Sequence, residues 1–182
     1  MWLGIFNILF NLLRGRNFRI SRFVRDNPSS PFSQPTLHCL KKAGWYPERH
    51  IDFKHYRRFL EKNGNPVHPC VENFLSCYGG LHVRHPSHSW KGEMEDFWLN
   101  PTYIDDISLN GDSLDDYNKA TKSALCAIGS AFSDDIILWM NQDGVVFATQ
   151  STAVYLIGNS GEQAIENLCQ GTQPGFMFDV PA

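Results

Sequence analysis

Three helical patterns in quick succession, each stopped at a glycine, limit what this chain can fold into. They lie within residues 37–81 and end at Gly44, Gly64 and Gly79. A glycine just past a helix can take the left-handed conformation that satisfies the last carbonyls, so the spacing predicts helix, turn, helix, turn, helix. Pro35 suits the first turn of the first helix, which carries Leu37, Leu40 and Lys41. Asp52 can N-cap the second, in which Phe53, Tyr56, Phe59 and Leu60 recur at helical spacing. Pro69 opens the third, with Val71, Phe74, Leu75 and Tyr78 on its apolar face. Residues 45–49 have no helical period and read as an aromatic corner. Trp45 and Arg49 there could form a binding site, but the expected role is structural, with Trp45 in the core and Arg49 bonding helix carbonyls.

From Leu81 the period changes. Residues 81–83 alternate like a strand, residues 84–92 read as a polar loop, and Phe97, Trp98 and Leu99 read as the next strand. A helical pattern covers 112–129. Two β-rich runs, 136–140 and 145–148, flank Asn141-Gln142-Asp143-Gly144, a hairpin signal. Residues 153–157 supply another strand, and Ser160 can N-cap a last helix that stops at Gly171. Helices first, then a mostly antiparallel sheet, then a closing helix predict an α+β fold, one domain with an N-terminal extension. The boundary falls at the proline- and serine-rich residues 27–35, giving an extension over 1–34 and a domain over 35–182. With 42% hydrophobic and 13% aromatic residues in 182, one packed core is well supplied.

The net charge of −3 conceals an asymmetry. Residues 1–25 carry Arg14, Arg16, Arg19, Arg22 and Arg25 and no acid, which leaves 11 basic against 19 acidic residues, or −8, for the remainder. An acidic body is not expected to bind nucleic acid directly. The apolar stretch over 1–13 is too short to span a bilayer comfortably and lacks the marks of a secretory signal. Followed by arginines every three residues, it can lie on an anionic membrane surface, pack on its own domain, or stem from an upstream start codon.

No nucleotide-binding glycine loop, nucleophile elbow or zinc-deaminase pattern is present. His82, His85 and His88, with His68 and Cys70 upstream, invite a metal reading. However, their spacing fits no zinc class, and Pro86 breaks any continuous helix through them, so polar surface residues are expected and no metal or cofactor. Five cysteines, an odd number without a CxxC, fit reduced thiols in a cytoplasmic protein. Cys70 and Cys77, two helical turns apart, should face one buried apolar side.

The residues with functional promise are acidic. Glu93, Glu95, Asp96, Asp105, Asp106, Asp112, Asp115 and Asp116 fall within 24 residues with no base among them. Such a run is either a solvated face, with Asp112, Asp115 and Asp116 favouring a helix N-terminus, or a surface for a basic partner. Trp90, Trp98 and Tyr103 lie close by in sequence as aromatic anchors.

The runs AGWYPERHID, FLSCYGGL, FWLNP, AIGSAF and LWMNQDGVVFA, with a Leu-Ile-Gly strand leading into a helix, resemble the SUKH superfamily, and within it the third family of SUKH immunity proteins. The resemblance spans about residues 36–171. Ala127 stands where that pattern has proline, and Asn100-Pro101 where it has Asp-Pro. The resemblance implies an α+β domain with one sheet backed by helices. It further implies a bacterial cytoplasmic protein, not an enzyme, that neutralises a polymorphic toxin, often a nuclease or deaminase. The superfamily also holds regulatory scaffolds, so a non-enzymatic scaffold, with a membrane surface as one candidate location, is the alternative. For either role the partner-binding residues are expected among the acids above and Trp98.

Overall fold

The computed structural model describes residues 30–104, 112–132, 136–172 and 174–179. Among them are five α-helices and one seven-stranded sheet. Helices α1 (Gln34–Lys42), α2 (Lys54–Lys62) and α3 (Pro69–Tyr78) come first, followed by the hairpin β1 (His82–Pro86) and β2 (Met94–Trp98). A single 3-10 turn (Pro101–Tyr103) and α4 (Asp112–Thr121) lead to β3 (Cys126–Ala131), β4 (Ile136–Met140), β5 (Val146–Gln150) and β6 (Ala153–Gly158). Helix α5 (Gly161–Gln170) and β7 (Gly175–Asp179) complete the described chain. Every strand pairs antiparallel with its sequence neighbour, in the order β1 to β7. This is the expected α+β class.

The helix boundaries follow local chemistry. Pro35 and Pro69 sit in the first turns of α1 and α3, where the missing N–H costs nothing. The Asp52 carboxylate accepts from Lys54 N at 2.9 Å, one position ahead of the formal N-cap, Phe53. Ser160 Oγ accepts from Gln163 N at 3.1 Å and opens α5 as expected, and Gly171 closes it with φ of 59°. The third glycine stop differs from expectation. Gly79 is not left-handed (φ −56°); the residue that turns is Gly80, at φ 78°. Gly79 is required for a different reason: a Cβ there would collide with the Leu75 carbonyl and the Tyr56 ring. Arg49 makes the predicted bonds to helix carbonyls, donating to Cys77 O at 2.9 Å and Gly79 O at 2.8 Å.

The sheet's two faces are covered by different helices. Met140, on one face of β4, lines a cavity of about 280 Å³ with Phe74 of α3 and Gly161 of α5, while α1 packs on α5 and β1. Trp139 points to the opposite face, where Tyr117 of α4 lies 6.3 Å from it between ring centroids. The Trp139 indole N–H donates to Thr149 Oγ1 on β5 at 2.8 Å, so this fully buried polar group is satisfied. Phe32 is buried against Trp45 and Tyr78, which anchors the chain just ahead of α1.

Three elements differ from the sequence expectation. The helical pattern over 112–129 ends at Thr121, and 126–131 is β3, buried at every position. A short run of small apolar residues buried on both faces has no alternation to mark it as strand. Residues 84–86, expected in a loop, continue β1, because Arg84 and Pro86 alternate outward on an edge strand. Finally, β7 follows the helix that was expected to close the fold.

Candidate partner-binding surface

The β1–β2 hairpin sorts its side chains by register. His82 pairs with Trp98, Arg84 with Asp96 and Pro86 with Met94 on the outer row, and Val83 with Phe97 and His85 with Glu95 on the inner row. Val83, Phe97 and His85 are buried, whereas Arg84, Pro86 and Met94 are exposed. A one-residue slip would exchange the two sets, so burial of Phe97 fixes which residues remain available on the surface.

Two aromatic rings, His82 and Trp98, are ordered on the outer row, and a third, Tyr103, packs beside them from the 3-10 turn. The His82 imidazole stacks on the Trp98 indole with centroids 3.8 Å apart and planes 8° from parallel. Its Nε2 also lies 2.7 Å from Asp96 Oδ2, which holds the ring from the side. Tyr103 meets Trp98 edge-on at 5.2 Å and is 58% exposed. It is placed by the 3-10 turn, which Asn100 caps: Asn100 Oδ1 accepts from Thr102 N at 3.0 Å and from Thr102 Oγ1 at 2.7 Å. The result is a ledge of rigid aromatic surface with a carboxylate beside it. Large rings with few rotatable bonds lose little entropy on binding, which makes such ledges efficient anchors.

The acidic residues divide. Asp96 is on the outer row, but Glu95 points to the inner face, where it accepts from Ser87 Oγ at 2.6 Å. Glu93 is exposed in the loop before β2, and Trp90, 51% exposed, sits at the same hairpin tip. Asp115 is exposed on α4, and Asp116 pairs with Lys119 at 3.2 Å. Helix α4 covers the sheet face to which Trp98 also belongs, through the rows Trp98–Ser130–Ile137–Thr149 and Trp139–Phe147. Asp105 and Asp106 lie outside the described residues, as does the side chain of Asp112. His82 was missed as a ledge residue, since only the strand register shows that it stacks on Trp98.

The three histidines do not converge. His82 is outward on Asp96; His85 is 1% exposed and inward; His88 is exposed and bonds Cys169 O at 2.9 Å. Among the described residues no group of three or more His, Cys, Asp or Glu side chains is placed to hold a metal ion. His85 Nδ1 lies 3.1 Å from the Pro86 carbonyl, which can only accept, so the proton is on Nδ1, and the buried Nε2 has no partner among the described residues. Burial holds this imidazole below its usual range; the Pro86 carbonyl, Glu95 and Asp96 oppose the shift, and His88 adds to it.

All five cysteines are free thiols. Cys70 and Cys77 share one side of α3 and line the cavity there, half-buried rather than fully buried, with Cys70 Sγ 3.1 Å from Asn141 O. Burial pushes the Cys126 thiol up to about 12. Among the described residues no helix is long and apolar enough to cross a membrane. The basic apolar stretch over 1–25, the basis of the membrane-surface reading, lies outside the described residues.

The architecture is that of an α+β domain with an ordered aromatic ledge at one wing of its sheet. The chain belongs to the SUKH-3 immunity protein family, whose model matches residues 32–171. No curated protein and no solved structure matches it.

Proposed function

We propose that the protein acts in the bacterial cytoplasm as the immunity partner of a cognate polymorphic toxin. It binds the toxin one to one and covers its active cleft, without catalysing a reaction itself. Family membership over 32–171 is the observation that carries this reading. The toxin class best suited to the acidic body is a nuclease or another enzyme acting on nucleic acid, because such enzymes present basic clefts to a polyanion. In this reading Trp98 and Tyr103 are the anchors, and Asp96, Asp115, Asp116 and the acidic 105–106 segment steer a basic partner toward them.

The test is a pull-down and growth-rescue assay with the toxin domain encoded beside this gene. Wild type is compared with a variant carrying Asp105→Asn, Asp106→Asn, Asp115→Asn and Asp116→Asn. Rescue by the wild type and weakened binding by a folded variant, with an association rate reduced about tenfold at low salt, is the expected result. Equal rescue by both moves the interface off the acids. Failure of the wild type to bind or rescue ends the immunity reading in favour of a scaffold role.

A further inference from the structure

We infer that Trp98 and Tyr103 form a guanidinium-binding corner in which an arginine side chain of the partner seats, the identity of that partner resting on the immunity reading above. The two ring planes stand 88° apart with centroids 5.2 Å from each other, so they are two walls of a corner. Both walls are held in place. His82 lies flat on the indole at 3.8 Å, and Asn100 fixes the turn that carries Tyr103. Tyr103 is exposed and Trp98 half-buried, so the corner opens to solvent. Asp96, partly exposed, accepts from His82 Nε2 at 2.7 Å and sets a carboxylate beside the rings.

This combination selects a flat cation. An aromatic ring carries negative charge on its face, which attracts a cation lying over it. A guanidinium is planar, delocalised and weakly hydrated, so it stacks on such a face at a lower desolvation cost than a compact ammonium. Its N–H groups point outward in its own plane, where a carboxylate beside the ring can accept from them. An uncharged apolar side chain would gain nothing from Asp96, and an anionic one would be repelled by it.

The surroundings supply a complementary field. With 11 basic against 19 acidic residues, the chain outside 1–25 carries −8. Glu93 and Asp115 are exposed, and α4, which carries Asp115, covers the sheet face to which Trp98 belongs. The described residues do not fill the corner with a cation of their own. Their cation–π contact lies elsewhere, with Arg57 over the Phe53 ring at 5.4 Å. Arg84 stands exposed across from Asp96 and forms no salt bridge among the described residues.

The full chain, isotope-labelled for NMR, is titrated at low salt with two probes of equal charge, acetylated tetra-arginine amide and acetylated tetra-lysine amide. The indole N–H resonance of Trp98, identified by its loss in Trp98→Leu, reports binding at the corner. Tetra-arginine is expected to bind about three- to fivefold more tightly than tetra-lysine. Tyr103→Ala removes an exposed ring, so the core stays intact; it should abolish that preference and leave the weak binding that charge alone gives, while Tyr103→Phe keeps the preference. Equal affinity for the two peptides would overturn the inference, as would a preference that survives Tyr103→Ala. So would a preference that grows when Arg14, Arg16, Arg19, Arg22 and Arg25 are changed to Gln, which would give the corner to the chain's own arginines. Growth rescue separates this test from the immunity reading. Rescue by the wild type with equal peptide affinities overturns the corner and keeps immunity, whereas an arginine preference without rescue overturns the toxin as its occupant.

Discussion

The centre of the sheet and its β1–β2 wing are built from the same kind of strand but used differently. In the centre, β3 is buried along its whole length, and Trp139 sits beneath α4 with its indole N–H bonded to Thr149. In the wing only the inner row is buried, and the outer row leaves Arg84, Pro86 and Met94 exposed beside the His82–Trp98 stack. Cover on both faces gives stability and leaves nothing to bind with. Cover on one face holds the hairpin by Val83 and Phe97 while leaving an ordered aromatic surface on the other. A side chain's size therefore says little about its role here; the row it occupies decides.

That division can be broken by mutation, and the largest effect should come from the centre. Trp139→Ala removes a fully buried ring and leaves Thr149 without its donor, which should lower the unfolding free energy by about 3–5 kcal/mol in urea titration. A loss under about 1 kcal/mol would mean that the centre is not the stabilising region. Trp98→Ala, on the same sheet face but in the wing, should cost only about 1 kcal/mol of stability. Its effect should appear in toxin affinity, as a loss of about 2 kcal/mol or roughly 30-fold in Kd by calorimetry. Unchanged affinity would remove the ledge from the interface.

The smallest effect sharpens the comparison within the wing, between its two rows. His85 on the inner row is held below its ordinary range by burial, so the unfolded chain takes up this proton first. Stability should be complete above the unfolded value of about 6.5 and fall as pH drops through it, by at most about 1.4 kcal/mol per pH unit until the folded value is reached. Glu95, Asp96 and His88 are the charged or titratable neighbours that modulate this slope. His85→Phe should flatten the profile between pH 6.5 and 5, measured by urea midpoints. An identical slope in both proteins would place the acid sensitivity elsewhere.

Much of the fold was legible because its signals are local. Pro35, Pro69, Ser160 and Gly171 mark helix ends within a single turn, and Asn141 to Gly144 marks the β4–β5 hairpin, whose Asn141 Oδ1 accepts from Asp143 N and Val145 N. Arg49 was placed by the same kind of reasoning, since a lone arginine in an aromatic corner next to helix ends has few other acceptors within reach. The site was less legible. The acidic run reads as one surface, yet Glu95 and Asp96 are adjacent on a strand and so face opposite sides. His85 and His82 read as equivalent surface residues until the register buries one and stacks the other.

By itself the sequence determined the helix order, the turn positions, the acidic body and the resemblance to its family, because caps, turns and charge are carried by residues a few positions apart. Only the tertiary structure decided that 126–131 is a central strand and that His82 stacks on Trp98. Each of these rests on contacts between residues distant in the chain or on strand register, and no local propensity encodes which distant surfaces will be brought together.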